Sequence, residues 1–320
     1  MKKILITGFS GFVSRYFIEH LENNKQKSEI LGIDINKPDF LIYNSETLKC
    51  SFEQIDLLDT GRLENIIYSF QPDYVLHLAS YSSVGFSWKN PSLSFKNNMN
   101  IFLNMMEVVR GVNSSCRIIS VGSSEEYGDY PEDLLPLMEG FQLKPLSPYA
   151  VARVSQEQLS KVYSDGYGLD VVMTRSFNHI GPGQKDIFVI SSFAKQLVEI
   201  KKGLKKEKKL ITGDITVVRD FLDVRDVVDA YYKLFTEGEK GEVYNICSGN
   251  GVSLRNVIDL MCEILEIQIE LETDSNLIRP NDNKIIIGSN DKLKNATGWE
   301  QKIELKKSLE DIINYWIEKI

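Results

Sequence analysis

Histidine is scarce in this 320-residue chain, and the three that occur, His20, His77 and His179, are far apart. Without paired ligands at metal-binding spacing, a catalytic zinc site is not expected, and no metal is called for. The four cysteines, Cys50, Cys116, Cys247 and Cys262, show no C-x-x-C spacing and no disulfide framework, so a reducing compartment, the cytoplasm, is the natural reading. Long apolar runs are missing too: nothing approaches the roughly 20 residues of a membrane span. "MKKILITGFSG" holds too short an apolar run for a secretory leader. An excess of positive charge is also lacking. The formal net charge of −8 argues against nucleic acid or an anionic membrane as partner, so a polyphosphate ligand must be held by local groups. The basic stretch "KKGLKKEKK" (Lys201 to Lys209) reads as a solvated helix end.

What is present is a core. With 42% hydrophobic residues the chain can bury one large or two interdependent domains. "KILIT", "EILGID", "YVLHLAS", "CRIISVGS" and "DVVMTRSF" read as buried strands. Phe12 to Asn23, Gly61 to Phe70, Asn98 to Val112 and Tyr149 to Tyr167 read as the helices between them. This alternation predicts a doubly wound parallel α/β sheet, with Thr7, Ser80, Ser123 and Asn178 at strand ends on the edge where such sheets bind ligands. Asn36 to Glu53 and Asp129 to Leu146 read as loops or irregular elements. In the second half, helices are expected at Leu254 to Leu265 and Leu305 to Ile317. The helix "NNMNIFLNMMEVVRGV" is apolar on more sides than one stripe requires, which suggests a sheet on one side and a second subunit on another.

"ITGFSGFVSRYF" closes the first strand and opens the first helix, with Gly8, Gly11 and Ser14 at G-x-x-G-x-x-S spacing. Such a turn lets helix N–H groups face a pyrophosphate. Asp34 ends the second strand and could accept both hydroxyls of an adenosine ribose, which favours NAD(H) and leaves NADP(H) as the second choice. Asp56, after the third strand, could meet an adenine edge or simply close a turn.

"SPYAVARVSQEQLSKVY" puts Tyr149 and Arg153 one helical turn apart, on one face. A phenol with a reference pKa of about 10 becomes useful near neutrality only when something stabilises its anion, which a neighbouring cation does. Lysine is the usual cation for this task; arginine, always charged and with five N–H donors, can replace it.

The glycine turn, "DLLD", "VLHLAS", Asn98, "SVGSSEEYG", "SPYAVAR" and "SFNHIGPGQ" follow one another over nearly the whole chain, and together they resemble the extended short-chain dehydrogenase/reductase family. The resemblance implies a Rossmann domain (1–176 with about 217–249), a substrate-binding lobe (about 177–216 and 250–320), a nucleotide-sugar substrate and a homodimer. It implies Ser123, Tyr149 and Arg153 as the catalytic group, with Arg153 where the family has lysine. It also implies cofactor contacts from Gly8, Ser10, Gly11, Phe12, Asp34, Asp56, Leu57, Leu78, Ala79, Ser80 and Asn98, besides Tyr149 and Arg153. Within the family, "SFNHIGPGQ", "VVRDFLDVRDVVDAY", "GEVYNICSG" and "RPNDNKIIIGSNDKLKNATGW" are similar to reductases of GDP-linked 4-keto-6-deoxyhexoses. Asn178, Arg219, Arg279, Ser83 and Ser124 are then expected at the sugar nucleotide, the two arginines as forks for a diphosphate. Taken singly, either arginine could instead form an ion pair, Arg219 with Asp220 or Asp223. Glu125 stands where GDP-mannose 4,6-dehydratases keep a glutamate, so a dehydratase or epimerase is the alternative; a nucleotide-sugar binding protein without catalysis is a third reading.

Overall fold

The computed structural model describes residues 1–40, 44–279 and 281–320. In chain order the elements are β1 Lys2–Thr7, α1 Phe12–Asn23, β2 Ser28–Asp34, β3 Leu48–Gln54, α2 Thr60–Phe70, β4 Tyr74–His77, α3 Val84–Lys89, α4 Pro91–Val112, β5 Arg117–Ser123, α5 Pro148–Tyr167 and β6 Asp170–Ser176. They continue with β7 Asn178–Ile180, α6 Val189–Lys201, β8 Lys209–Thr212, β9 Val218–Asp223, α7 Val224–Glu237, β10 Val243–Ile246, β11 Gly251–Ser253, α8 Leu254–Leu265, β12 Glu270–Thr273, β13 Ile285–Ile286, α9 Asp291–Thr297 and α10 Leu305–Lys319.

Seven strands form one parallel sheet in the order β10-β6-β5-β4-β1-β2-β3, the doubly wound arrangement expected. The order reverses at β1, so the glycine turn opens at the switch point, where the connections to left and right leave a crevice. β1, β4 and β5 are buried on both faces, which is why they read as plain apolar runs. β3 departs from the expected loop over Asn36 to Glu53. It is an edge strand in which Leu48 and Cys50 face inward and Lys49 and Ser51 outward, a half-polar pattern that mimics a loop.

α4 starts at Pro91, earlier than the expected Asn98, because proline at the first helical position costs no hydrogen bond. Its several apolar sides are used within the chain: Met99, Ile101, Phe102, Met105, Met106, Val108 and Val109 are buried, and the helix packs on α2, α3 and α5. The breadth of its apolar surface is therefore not in itself evidence of a second subunit.

A smaller sheet joins β11, β9 and β13, with β7 also paired to β9, and β8 pairs with β12. β9 thus hydrogen-bonds within the small sheet although the sequence grouped it with the dinucleotide domain. α7, which follows directly, packs on α1 of the larger layer. The lobe has its own apolar cluster, in which α6, α8 and α10 contribute Phe193, Leu197, Ile258, Met261, Ile312 and Trp316. The basic stretch is absorbed locally: Lys201 and Lys202 donate to the carbonyls of Leu265 and Ile317, and Lys205 and Lys209 pair with glutamates. Among the described residues no helix is long and apolar enough to cross a membrane.

Candidate active site

The turn after β1 shows why small residues stand there. Gly8 has φ +68°, and a Cβ on it would lie 2.8 Å from the Ala79 nitrogen; a Cβ on Gly11 would meet the Gly8 carbonyl at 2.9 Å. A cradle that a methyl group would fill suits close approach of a pyrophosphate to backbone. Ser14 takes the third position without obstruction because its hydroxyl turns inward to the carbonyls of Phe9 and Gly11. Phe12 opens α1 and stacks on His179 with ring centroids 6.4 Å apart.

Asp34 lies beside the turn, but part of its capacity is used: Ser10 donates to Oδ2 from N at 3.0 Å and from Oγ at 2.7 Å, and Asn36 N donates to Oδ1 at 2.9 Å. A carboxylate has about four acceptor sites, so a ribose diol has to share Oδ1 or displace the Ser10 hydroxyl. Asp56 is exposed and accepts from Leu58 N at 2.9 Å, closing its own turn. Leu57 is buried, its carbonyl held by Asn104.

Across the crevice, the loop after β4 is tied down from two sides. Thr7 Oγ1 accepts from Ala79 N at 3.1 Å and contacts His77 Nδ1 at 2.9 Å; Leu78 N donates to the Thr7 carbonyl. Buried Asn98 accepts from Tyr81 N at 2.8 Å and from Ser80 Oγ at 3.5 Å. Asn98 therefore braces the Ala79–Tyr81 loop. Burial, reinforced by Arg153, pushes His77 down to about 3, so it is neutral at any physiological pH. Ser83 caps α3, its hydroxyl accepting from Phe86 N.

Tyr149 and Arg153 are 6% and 5% exposed and share the inner face of α5, as their spacing requires. Ser147 caps this helix and Pro148 opens it, placing the phenol near the positive end of the helix dipole. Arg153 Nε donates to Tyr149 Oη at 3.2 Å, while Nη1 donates to Val121 O at 2.9 Å and Gln156 Oε1 at 2.6 Å. Val121 and Ser123 belong to one strand, so a single guanidinium ties the Tyr149 helix to the Ser123 strand. Among the described residues, two of the five donors, both on Nη2, have no protein partner.

Ser123 ends β5 with its side chain nearly buried, its Oγ accepting from Glu125 N at 3.3 Å and its N donating to Glu126 Oε1 at 2.7 Å. Glu126, which no sequence motif singles out, is fully buried. Burial and neighbouring Glu157 raise its carboxyl well above the usual range, since Arg175 already spends its fork on Glu157 at 2.7 and 2.8 Å. Gly122 leaves the room: a Cβ there would stand 2.5 Å from Glu126 Oε1. Ser124 is buried beside this group.

On the lobe side, Asn178 is half-buried in β7, and Arg219 in β9 is 6% exposed. The sequence offered Asp220 or Asp223 as ion-pair partners for Arg219; both are engaged elsewhere. Asp220 accepts from Ser248, Gly249 and Gly288, and Asp223 pairs with Arg225. Arg219 instead meets Asp282 Oδ1 at 2.8 Å, and Arg279 reaches the same oxygen at 3.2 Å. The two arginines converge on a carboxylate that neither spacing nor composition singles out. Arg279 also lies 3.7 Å from Glu125. Burial raises the Glu125 carboxyl, and Arg279 and Arg219 oppose that shift.

Known proteins share this fold over nearly the whole chain. The nearly complete superposition on solved nucleotide-sugar enzymes defines the class as a Rossmann-type short-chain dehydrogenase/reductase fold. The structure of RMD from Pseudomonas aeruginosa complexed with NADPH matches at a TM-score of 0.87 and 33% identity, covering 100% of both chains. The NAD complex of UDP-glucose 4-epimerase from Thermus thermophilus matches at 0.85 and 27% identity, covering 99% of this chain and 100% of that one. In sequence, the chain is 33% identical over 319 residues to the GDP-6-deoxy-D-mannose reductase of Pseudomonas aeruginosa, covering 100% of this chain and 98% of that protein. The sequence profile of the GDP-mannose 4,6 dehydratase family matches residues 5–312, and the chain belongs to that family.

Proposed function

We propose that this protein is a nucleotide-sugar oxidoreductase that uses NAD(P)H to reduce a GDP-linked 4-keto-6-deoxyhexose. The observation that carries the reading is the Arg153–Tyr149 contact, anchored through Val121 to the strand that ends at Ser123. A bound NADH supplies the hydride for the carbonyl carbon. Tyr149 gives its proton to the carbonyl oxygen, which Ser123 Oγ steadies by a hydrogen bond. The Arg153 charge stabilises the phenolate left behind, and the two N–H groups of Nη2 suit the nicotinamide ribose. Gly8, Ser10, Gly11, Phe12, Asp34, Asp56, Leu57, Leu78, Ala79, Ser80 and Asn98 form the rest of the dinucleotide crevice, with NADH favoured over NADPH because Asp34 repels a 2′-phosphate.

Arg219 and Arg279 take the diphosphate, sharing or giving up Asp282, while Asn178, Ser83 and Ser124 face the sugar. The division into a dinucleotide domain and a substrate lobe follows, with the site between them. Apolar Leu93 and Phe95 on α4 and Val151 and Val162 on α5 are exposed, which supports a homodimer joined by these helices. Four free cysteines fit a reducing, cytoplasmic setting.

The half-buried Glu125 favours one alternative. A carboxyl that desolvation pushes upward beside the site suits the acid/base work of a 4,6-dehydration. Incubating the protein with GDP-mannose, and separately with its 4-keto-6-deoxy derivative plus NADH, separates the readings. Turnover of only the second substrate supports the reductase, turnover of the first the dehydratase, and binding without turnover of either a non-catalytic role.

A further inference from the structure

We propose that Gln156 is a positioning residue for Arg153: its side-chain amide fixes the guanidinium so that Nε faces Tyr149 and Nη2 stays free for the dinucleotide. The inference deepens the reading above and rests on it. Gln156 is 3% exposed and lies one turn beyond Arg153 on the same inner face of α5. Its Oε1 accepts from Arg153 Nη1 at 2.6 Å. Its Nε2 donates to Ser120 Oγ at 2.9 Å and to Val121 O at 3.2 Å, and Ser160 Oγ lies 3.0 Å from Ser120 Oγ. Both ends of the amide are thereby assigned, and its orientation follows from its partners. The Val121 carbonyl receives both the amide and the guanidinium, so arginine, glutamine and strand form one closed network.

Chemistry explains why the acceptor is an amide. A guanidinium presents donors in a rigid plane, so fixing Nη1 fixes Nε and Nη2 as well. A glutamate at 156 would hold Nη1 equally well but neutralise the charge that Tyr149 needs. An apolar side chain would leave a buried N–H without a partner, and the plane would turn to find one. Glutamine alone among residues of this length accepts from the cation, carries no charge and donates onward to Ser120.

The test is a double-mutant cycle read by NADH binding (fluorescence titration) and by the pH profile of kcat/KM, with melting temperature as the control for folding. Gln156→Met in the Arg153 protein should weaken NADH binding roughly tenfold, the scale of coupling between contacting residues. The same change in an Arg153→Met background should alter binding less than about twofold, because nothing remains to be positioned. Gln156→Glu, close in shape, should keep the melting temperature and move the pH profile of kcat/KM to higher pH. Equal losses in both backgrounds, or an unmoved profile for Gln156→Glu, would overturn the proposal and leave Gln156 as packing. If the protein binds NADH but reduces no keto sugar, the functional reading fails while the binding cycle still decides the role of Gln156.

Discussion

The site contains two kinds of arginine. Arg153 is buried among neutral acceptors: a phenol, a carbonyl and an amide, with His77 kept uncharged nearby. No carboxylate among the described residues forms an ion pair with it. Arg219 and Arg279 meet on one oxygen of Asp282, and Arg279 also approaches Glu125. A buried cation without a counter-ion acts on whatever nearby group can become negative; a cation already paired is held in readiness for an anion that offers more than its present partner. In the proposed function the first arrangement serves chemistry and the second serves binding. That difference can be broken or sharpened by substitution.

The largest effect is expected at Tyr149. Tyr149→Phe should lower kcat by roughly 10²–10⁴-fold, the usual worth of a positioned acid, while calorimetry shows GDP affinity unchanged. A comparable loss of GDP binding would mean that chemistry and binding are not separate here. Next come Arg219 and Arg279, the proposed clamp. Arg219→Ala or Arg279→Ala should each weaken both GDP and the sugar nucleotide by about 1.5–3 kcal/mol, as for a lost charged hydrogen bond. Unchanged GDP affinity in both variants would place the clamp elsewhere.

The neutral surroundings of Arg153 can be tested through pH. His77 has its folded pKa depressed to about 3, so the unfolded chain takes up a proton at higher pH than the native one. This group contributes stability that is complete above the unfolded value near 6.5 and is lost as pH falls from there towards 3. Between pH 7 and pH 4.5 the loss should be about 2–3 kcal/mol from this residue, read as the difference in urea midpoints between the parent and His77→Asn. If the two proteins show the same acid dependence, His77 is not held neutral. The smallest effect is in coenzyme choice: the parent should use NADH with a higher kcat/KM than NADPH, and Asp34→Ala should narrow the gap several-fold. Equal or better use of NADPH by the parent would remove that role from Asp34.

The fold was legible wherever both faces of a strand are buried. β1, β4 and β5 announce themselves as apolar runs, and the glycine turn and Asp34 follow at fixed offsets along one β-α-β unit. β3 reads as a loop because an edge strand alternates polar and apolar residues, and the breadth of the α4 apolar surface does not by itself tell a partner from α2, α3 and α5, which pack on it. At the site, the Tyr149–Arg153 contact was readable because helical spacing alone sets it. Gln156 carries the same helical signal, one turn on from Arg153, and could have been found in this way. Asp282 could not: its pairing with Arg219 joins β9 to a distant loop, and only the small sheet, which lays β13 beside β9, brings them together. Glu126 was also out of reach, since one of two adjacent glutamates is turned inward by a capping geometry that the sequence does not distinguish.

The claim on which the account depends is that the charge of Arg153 acts on Tyr149. Its most direct test is the pH profile of kcat/KM for reduction of the GDP-linked 4-keto-6-deoxyhexose, recorded alongside NADH binding for the parent, Arg153→Lys and Arg153→Met. The expected result is substantial turnover in Arg153→Lys, and in Arg153→Met a profile displaced to higher pH together with weaker NADH binding. If Arg153→Met leaves both the profile and NADH affinity unchanged, Arg153 is a structural cation and the catalytic pairing read from this helix is wrong.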